Sequence, residues 1–136
     1  MIINAENLIL GRMAAVAAKQ ALIGDDVQIV NCEKAVITGN RKAVIKHYLS
    51  RLRLGQPQQG PFVHRRPDMF VRRTIRGMLP KKQAKGRAAL ARVKCYLGTP
   101  SNLEGKSAKP KEAISSNIRK ARITVGELCM HLGAKR

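Results

Sequence analysis

Within its first 31 residues the chain carries three apolar patterns that fit one arrangement. Met1 to Asn4 is a short apolar start, and Gly11 to Ile23 (GRMAAVAAKQALI) is rich in alanine, the strongest helix former, with Leu10, Ala14, Ala17 and Ala21 on one stripe. Gly24-Asp25-Asp26 supplies a helix-ending glycine and turn-forming acids, and VQIVN (27–31) follows as a β-branched run. Strand, helix, strand is a βαβ unit, which requires parallel strands, a right-handed crossover and a helix lying on one face of the sheet. The small side chains of the alanine stripe let that helix sit close. The fold class is therefore α/β.

The remaining chain extends this unit. Ala35 to Thr38 is a further short strand, and Arg41 to Arg53 is a helix with Val44, Tyr48 and Leu52 at i, i+4 and i+8. Its other face carries Arg41, Lys42, Lys46 and Arg53 with no acid for i to i+4 pairing, so local stabilisation does not explain these charges. GQPQQGP (55–61) reads as a flexible loop reaching outward. Pro67 and Asp68 start a helix whose buried side is Val71, Ile75 and Met78 or Leu79, and Pro80 stops it near Gly77. Met78 and Leu79 are expected to plug into the core at that bend. A helix through Ala88 to Ala91 leads to VKCYL (93–97), with Val93, Cys95 and Leu97 alternating against Lys94 and Tyr96. Residues 98–112 read as a polar loop. Thr124 and Glu127 form a capping box with Ile123 and Leu128 as its staple, and Gly133 ends that last helix. We expect one domain over 1–136: an α/β core in 1–100 containing a basic region at 41–96, then a loop and C-terminal helix in 101–136.

Charge is unevenly placed along this frame. The chain holds 27 Lys and Arg against 8 Asp and Glu, a net +19. Residues 1–40 sum to −1, residues 41–96 to +15 with Asp68 as their only acid, and residues 97–136 to +5. Self-repulsion of that size favours a polyanion partner. Membrane spanning is excluded, because the longest apolar run, Met13 to Ala18, is far short of the roughly 20 residues needed. The start MIINAENLIL has no secretory pattern, which points to the cytoplasm. Cys32, Cys95 and Cys129 make no Cys-x-x-Cys pair and read as reduced, small apolar side chains; with His47, His64 and His131 they show no zinc spacing. No phosphate loop, dinucleotide fingerprint, H-E-x-x-H or G-x-S-x-G is present. We expect no catalytic residue, no metal, no cofactor and no small-molecule substrate.

The cations differ in kind. Between 64 and 79 all five, Arg65, Arg66, Arg72, Arg73 and Arg76, are arginine, suited to forked phosphate contacts and stacking, whereas Lys81, Lys82 and Lys85 act as point charges. His64 beside Arg65 and Arg66 can hydrogen-bond a phosphate or stack on a base. With four aromatic residues and no stacking platform, recognition should rest on phosphates, 2′-hydroxyls and the shape of folded RNA.

LILGRMAAVAAK (8–19), VQIVNCEKAVITGNR (27–41), GPFVHRRPDMFVRRTIRGMLPKK (60–82) and KGRAALARVKCYLGTP (85–100) together resemble the L-thirteen family of universal large-subunit ribosomal proteins, in its archaeal-type form. The resemblance spans about residues 1–100. It implies a three-layer α/β/α domain on a four-stranded parallel sheet that binds large-subunit ribosomal RNA, meets neighbouring ribosomal proteins and supports assembly. Carried onto this chain, its RNA-facing motifs fall on Arg12, Asn40, Arg41, Lys42, His64, Arg65, Arg66, Arg72, Arg73, Arg76, Lys81, Lys82, Lys85 and Arg87. A free-standing RNA chaperone using the same basic face is the alternative, and a nucleotide-binding enzyme with an unrecognised site the second rival.

Overall fold

The structure is a computed structural model and describes residues 1–56, 58–103, 108–110, 113–114 and 121–134. The βαβ unit forms as the apolar pattern requires. Strands β1 (Ile2–Asn4) and β2 (Val27–Val30) pair in parallel, Ile2 opposite Gln28 and Asn4 opposite Val30. Helix α1 (Leu10–Ile23) joins them and buries Leu10, Ala14, Ala17 and Ala21 together with Met13 and Ala18. Gly24 ends it at φ +125, its amide returning to the Gln20 carbonyl, in a left-handed geometry that L side chains rarely adopt.

Strand β3 (Val36–Thr38) and the helices α2 (Arg41–Arg53), α3 (Pro67–Met78) and α4 (Ala84–Arg92) follow, and β4 (Val93–Cys95) returns to the sheet beside β2, with Val27 opposite Val93. Among the described residues the parallel sheet has three strands, in the order β1-β2-β4, where four were expected. The run counted as the fourth, β3, leaves it. Asn31 takes a left-handed conformation (φ 55) and opens a 3-10 turn over Cys32–Lys34, which redirects the chain before Val36. β3 then pairs antiparallel with β5 (Arg122–Thr124), Ile37 opposite Ile123. The outer edge of β1 is met by Ala108 of the tail: Asn4 N–H donates to the Ala108 carbonyl (3.1 Å), and Ala108 N–H donates to that of Ile2 (3.0 Å).

The described part of the tail is thus strapped to the core. Ile9 N–H donates to the carbonyl of the buried Ala113 at 2.7 Å, and Ile123, Val125, Leu128, Cys129 and Leu132 join the same apolar cluster as Ile3, Ile29 and Val71. Helix α5 (Val125–His131) is capped by Thr124, whose hydroxyl accepts the Glu127 amide at 3.2 Å. The Glu127 carboxylate of the expected capping box instead ion-pairs Arg41 on α2. Gly133, at φ +88, follows the helix as expected. Of the 98–112 loop, residues 104–107 and 111–112 lie outside the described residues.

Two packing expectations need correction. Of Met78 and Leu79, Leu79 alone enters the core, at 5% exposure; Met78 is 44% exposed although it stands at i+3 from Ile75, because α3 ends there and the extended residue after it, Leu79, is the one that turns inward. In VKCYL, Val93 is buried and Lys94 exposed, but Leu97 is 48% exposed, since the strand ends at Cys95 and the chain turns at Gly98 (φ +64). None of the described helices is long and apolar enough to cross a membrane.

Candidate nucleic-acid interface

Helix α3 is the spine of the basic surface. Its two faces are sharply divided: Phe70, Val71 and Ile75 are buried, Arg73 and Arg76 are exposed, and Arg72 is half-buried between them. Arg72, Arg73 and Arg76 converge with His64 around a cleft of about 160 Å³ that Met69 and Leu90 also line. Two of these arginines are held by backbone carbonyls: Arg72 Nη2 donates to Leu90 (3.4 Å) and Arg73 Nη1 to Phe62 (2.6 Å). Guanidiniums fixed in this way lose less freedom when they meet an anion, and each keeps donors to spare.

The single acid of region 41–96 is turned inward. Asp68 lies in the first turn of α3, favoured there by the helix dipole; its Oδ2 accepts from Arg66 at 2.9 Å, and its Oδ1 is buried without a hydrogen-bond partner. Arg66 is thereby partly committed, and Arg65 reaches toward the end of α5, its guanidinium 3.3 Å from where a Cβ on Gly133 would stand.

The turn between α3 and α4 presents the lysines. Leu79 anchors it, Lys81 N–H bonds back to the Leu79 carbonyl (2.8 Å) and Gln83 N–H to that of Pro80 (2.9 Å). Gly86 fixes the far side: it is buried in α4, and a Cβ there would stand 2.2 Å from the Pro80 carbonyl oxygen. Lys81, Lys82, Lys85 and Arg87 are exposed around this knot. Gly77, near the end of α3, is by contrast exposed, and a Cβ added there would meet nothing within 4 Å.

Four other expected residues have different surroundings. Asn40 caps α2, its Oδ1 accepting the Lys42 amide at 3.0 Å, and Arg41 is engaged by Glu127. Arg12 is exposed on the first turn of α1 and is not among the residues lining the arginine cleft. Lys42 shares a groove on α2 with Lys46 and Arg53, two cations absent from the expected set, although Lys42 and Lys46 stand at i and i+4. Arg51 is also new. It lines a larger cleft between α2 and α3 together with Arg73, and its distance from α3 along the chain left no signal of this.

Beyond the carboxyl ends of the parallel strands, where open α/β sheets usually bind small ligands, the chain's own polar groups bond to one another. Asn31 Nδ2 donates to Asn4 Oδ1 (3.1 Å) and to Thr99 Oγ1 (3.0 Å), and the Glu33 carboxylate accepts the Gly98 amide. Two of the three thiols, Cys32 and Cys129, are buried and held protonated. A hydrogen bond with Cys95 and then burial raise Cys32 well above the ordinary thiol range, and burial followed by the Asp68 charge pushes Cys129 up to about 11. Among the described residues no three His, Cys, Asp or Glu side chains gather as a metal site.

Residues 1–102 match the family model described as ribosomal protein L13. The chain is 46% identical over 139 residues to the large ribosomal subunit protein uL13 of Methanocaldococcus jannaschii, covering 98% of each. It is 40% identical to that of Methanopyrus kandleri (97% of this chain, 86% of the relative) and 39% identical to that of Thermoplasma acidophilum (97% of each). By its basic α3 surface, its α/β core and this similarity over nearly its whole length, the chain belongs to the ribosomal protein L13 family.

Proposed function

We propose that this chain is a structural constituent of the large ribosomal subunit in the cytoplasm. It binds large-subunit ribosomal RNA, meets neighbouring ribosomal proteins and supports subunit assembly, with no chemistry of its own. It acts as one unit over residues 1–136, on a three-layer α/β/α arrangement whose parallel sheet has three strands among the described residues. The observation that carries the RNA reading is the convergence of His64, Arg72, Arg73 and Arg76 on one cleft that no acid lines among the described residues, with Arg72 and Arg73 already held in place. Lys81, Lys82, Lys85 and Arg87 extend that surface as point charges, and Arg65 and Arg66 flank it. Lys42 adds a second patch on α2. Asn40 and Arg41 serve chiefly to place α2, and Arg12 is a peripheral contact.

Mechanistically this is neutralisation and clamping: a rigid core displays fixed cations, so that RNA segments which repel each other are held together. Each neutralised phosphate adds about 0.7–0.9 to the salt slope of binding, so replacing Arg72, Arg73 and Arg76 by alanine should lower that slope by about 2. An unchanged slope would refute the assignment of α3. In cell extract the protein should remain with large subunits, at about one copy per particle, through a high-salt wash. Release into the soluble fractions would favour a chaperone using the same face.

A further inference from the structure

We infer that the cleft between α2 and α3 receives a single unpaired nucleotide of the bound RNA, base inward and phosphate at its rim. The inference rests on the RNA-binding reading above and goes beyond it, since it assigns a base-holding site to a chain with few aromatic residues. Helix α2 buries none of its side chains fully, and it stands beside α3 with Tyr48 and Phe70 in edge contact, ring centroids 5.2 Å apart. The space left between the helices measures about 430 Å³, within the roughly 300–1,000 Å³ of pockets that hold small ligands. Its walls are apolar, built from Tyr48, Leu54, Val63 and Phe70. Leu54 is 60% exposed and neighbouring Phe62 65%, so substantial apolar surface faces water at the mouth.

The rim decides the occupant. Among the described residues, the charged ones lining this cleft are Arg51 and Arg73, without an acid. A ligand that fits must bring an apolar body and an anion together, and a nucleotide does so with a flat base and its phosphate. Arg73 is shared with the His64, Arg72 and Arg76 cleft. A strand with one base in the apolar cleft can therefore pass its next phosphates directly over the other two arginines.

Gly77 offers a clean test. It lines the cleft, is exposed, and has open space at its Cβ position, so Gly77→Phe can fill the cleft without disturbing the core. The full chain is titrated with an oligoadenylate and with an abasic oligonucleotide of equal length and charge, across a salt series. The base-bearing strand should bind about tenfold tighter than the abasic one, and Gly77→Phe should abolish that preference while leaving the salt slope unchanged. Equal affinities with a steep salt slope overturn the nucleotide site alone; absence of a salt slope overturns the RNA reading beneath it. Retention of the tenfold preference in folded Gly77→Phe also overturns the site. With benzoylphenylalanine at Leu54 in assembled large subunits, crosslinking to RNA supports the proposal and crosslinking to a protein chain overturns it.

Discussion

Replacing Gly86 by alanine tests whether the lysine knot is a rigid packed unit. On helix propensity alone the change should help, because alanine is favoured over glycine by about 1 kcal/mol in a helix interior. Tertiary packing opposes it. The new methyl carbon would stand 2.2 Å from the Pro80 carbonyl oxygen and 2.5 Å from its carbon, both backbone atoms, so α4 or the turn must move. Overpacking of this kind costs about 1–3 kcal/mol, and contact with backbone places it in the upper part of that range. The net expectation is a loss of about 1–2 kcal/mol, or a fall in Tm of about 4–8 °C for a chain of this length. Thermal melts followed by circular dichroism at fixed salt read this directly. Gly77→Ala is the matched control: exposed in α3, with nothing within 4 Å of its Cβ position, it should gain about 0.5 kcal/mol. A Gly86→Ala protein that melts at or above the Gly77→Ala protein would refute the packing argument.

Leu79→Ala should destabilise by about 2–5 kcal/mol and Met78→Ala by no more than about 0.5 kcal/mol, since Leu79 is buried and Met78 exposed; urea titrations giving equal losses would contradict the anchor. The Glu6 carboxyl is held below its ordinary 4.5 by the Lys109 hydrogen bond (3.2 Å), then by the charges of Lys109 and Lys34. Because the folded value is the lower one, this contribution is intact above about pH 4.5 and disappears as pH falls through the folded value. Stability of Glu6→Gln should therefore depend less on pH below 4.5 than that of the parent, and superimposable curves would dismiss the contact. At pH 8 a maleimide should label the half-buried Cys95 before the buried Cys32 and Cys129, and all three thiols in guanidinium. Rapid native labelling of either buried thiol would show a core looser than this packing implies.

The βαβ unit, the extent of α2, the start of α3 at Pro67 and the position of the basic surface were all legible in the order of the amino acids. Each follows from forces acting within a few residues: the spacing of Leu10, Ala14, Ala17 and Ala21, the fixed φ of Pro67, and the missing amide of Pro80. Charge was legible for a related reason, since fifteen net positive charges in 56 residues cannot all be paired internally whatever the fold. Packing between distant segments settled the rest. Whether β3 joined the parallel sheet depended on a left-handed Asn31 and on β5, more than 80 residues away in the chain. A strand's hydrophobic pattern does not name its partner. Likewise Gly77 and Gly86 are the same residue type in similar basic helices, yet one faces open space and the other lies against Pro80, and only the approach of two segments separates them. The grouping of His64 with Arg72, Arg73 and Arg76, and of Arg51 with Arg73, arises in the same way: local forces put each side chain on its helix face, and packing between elements decided which faces meet.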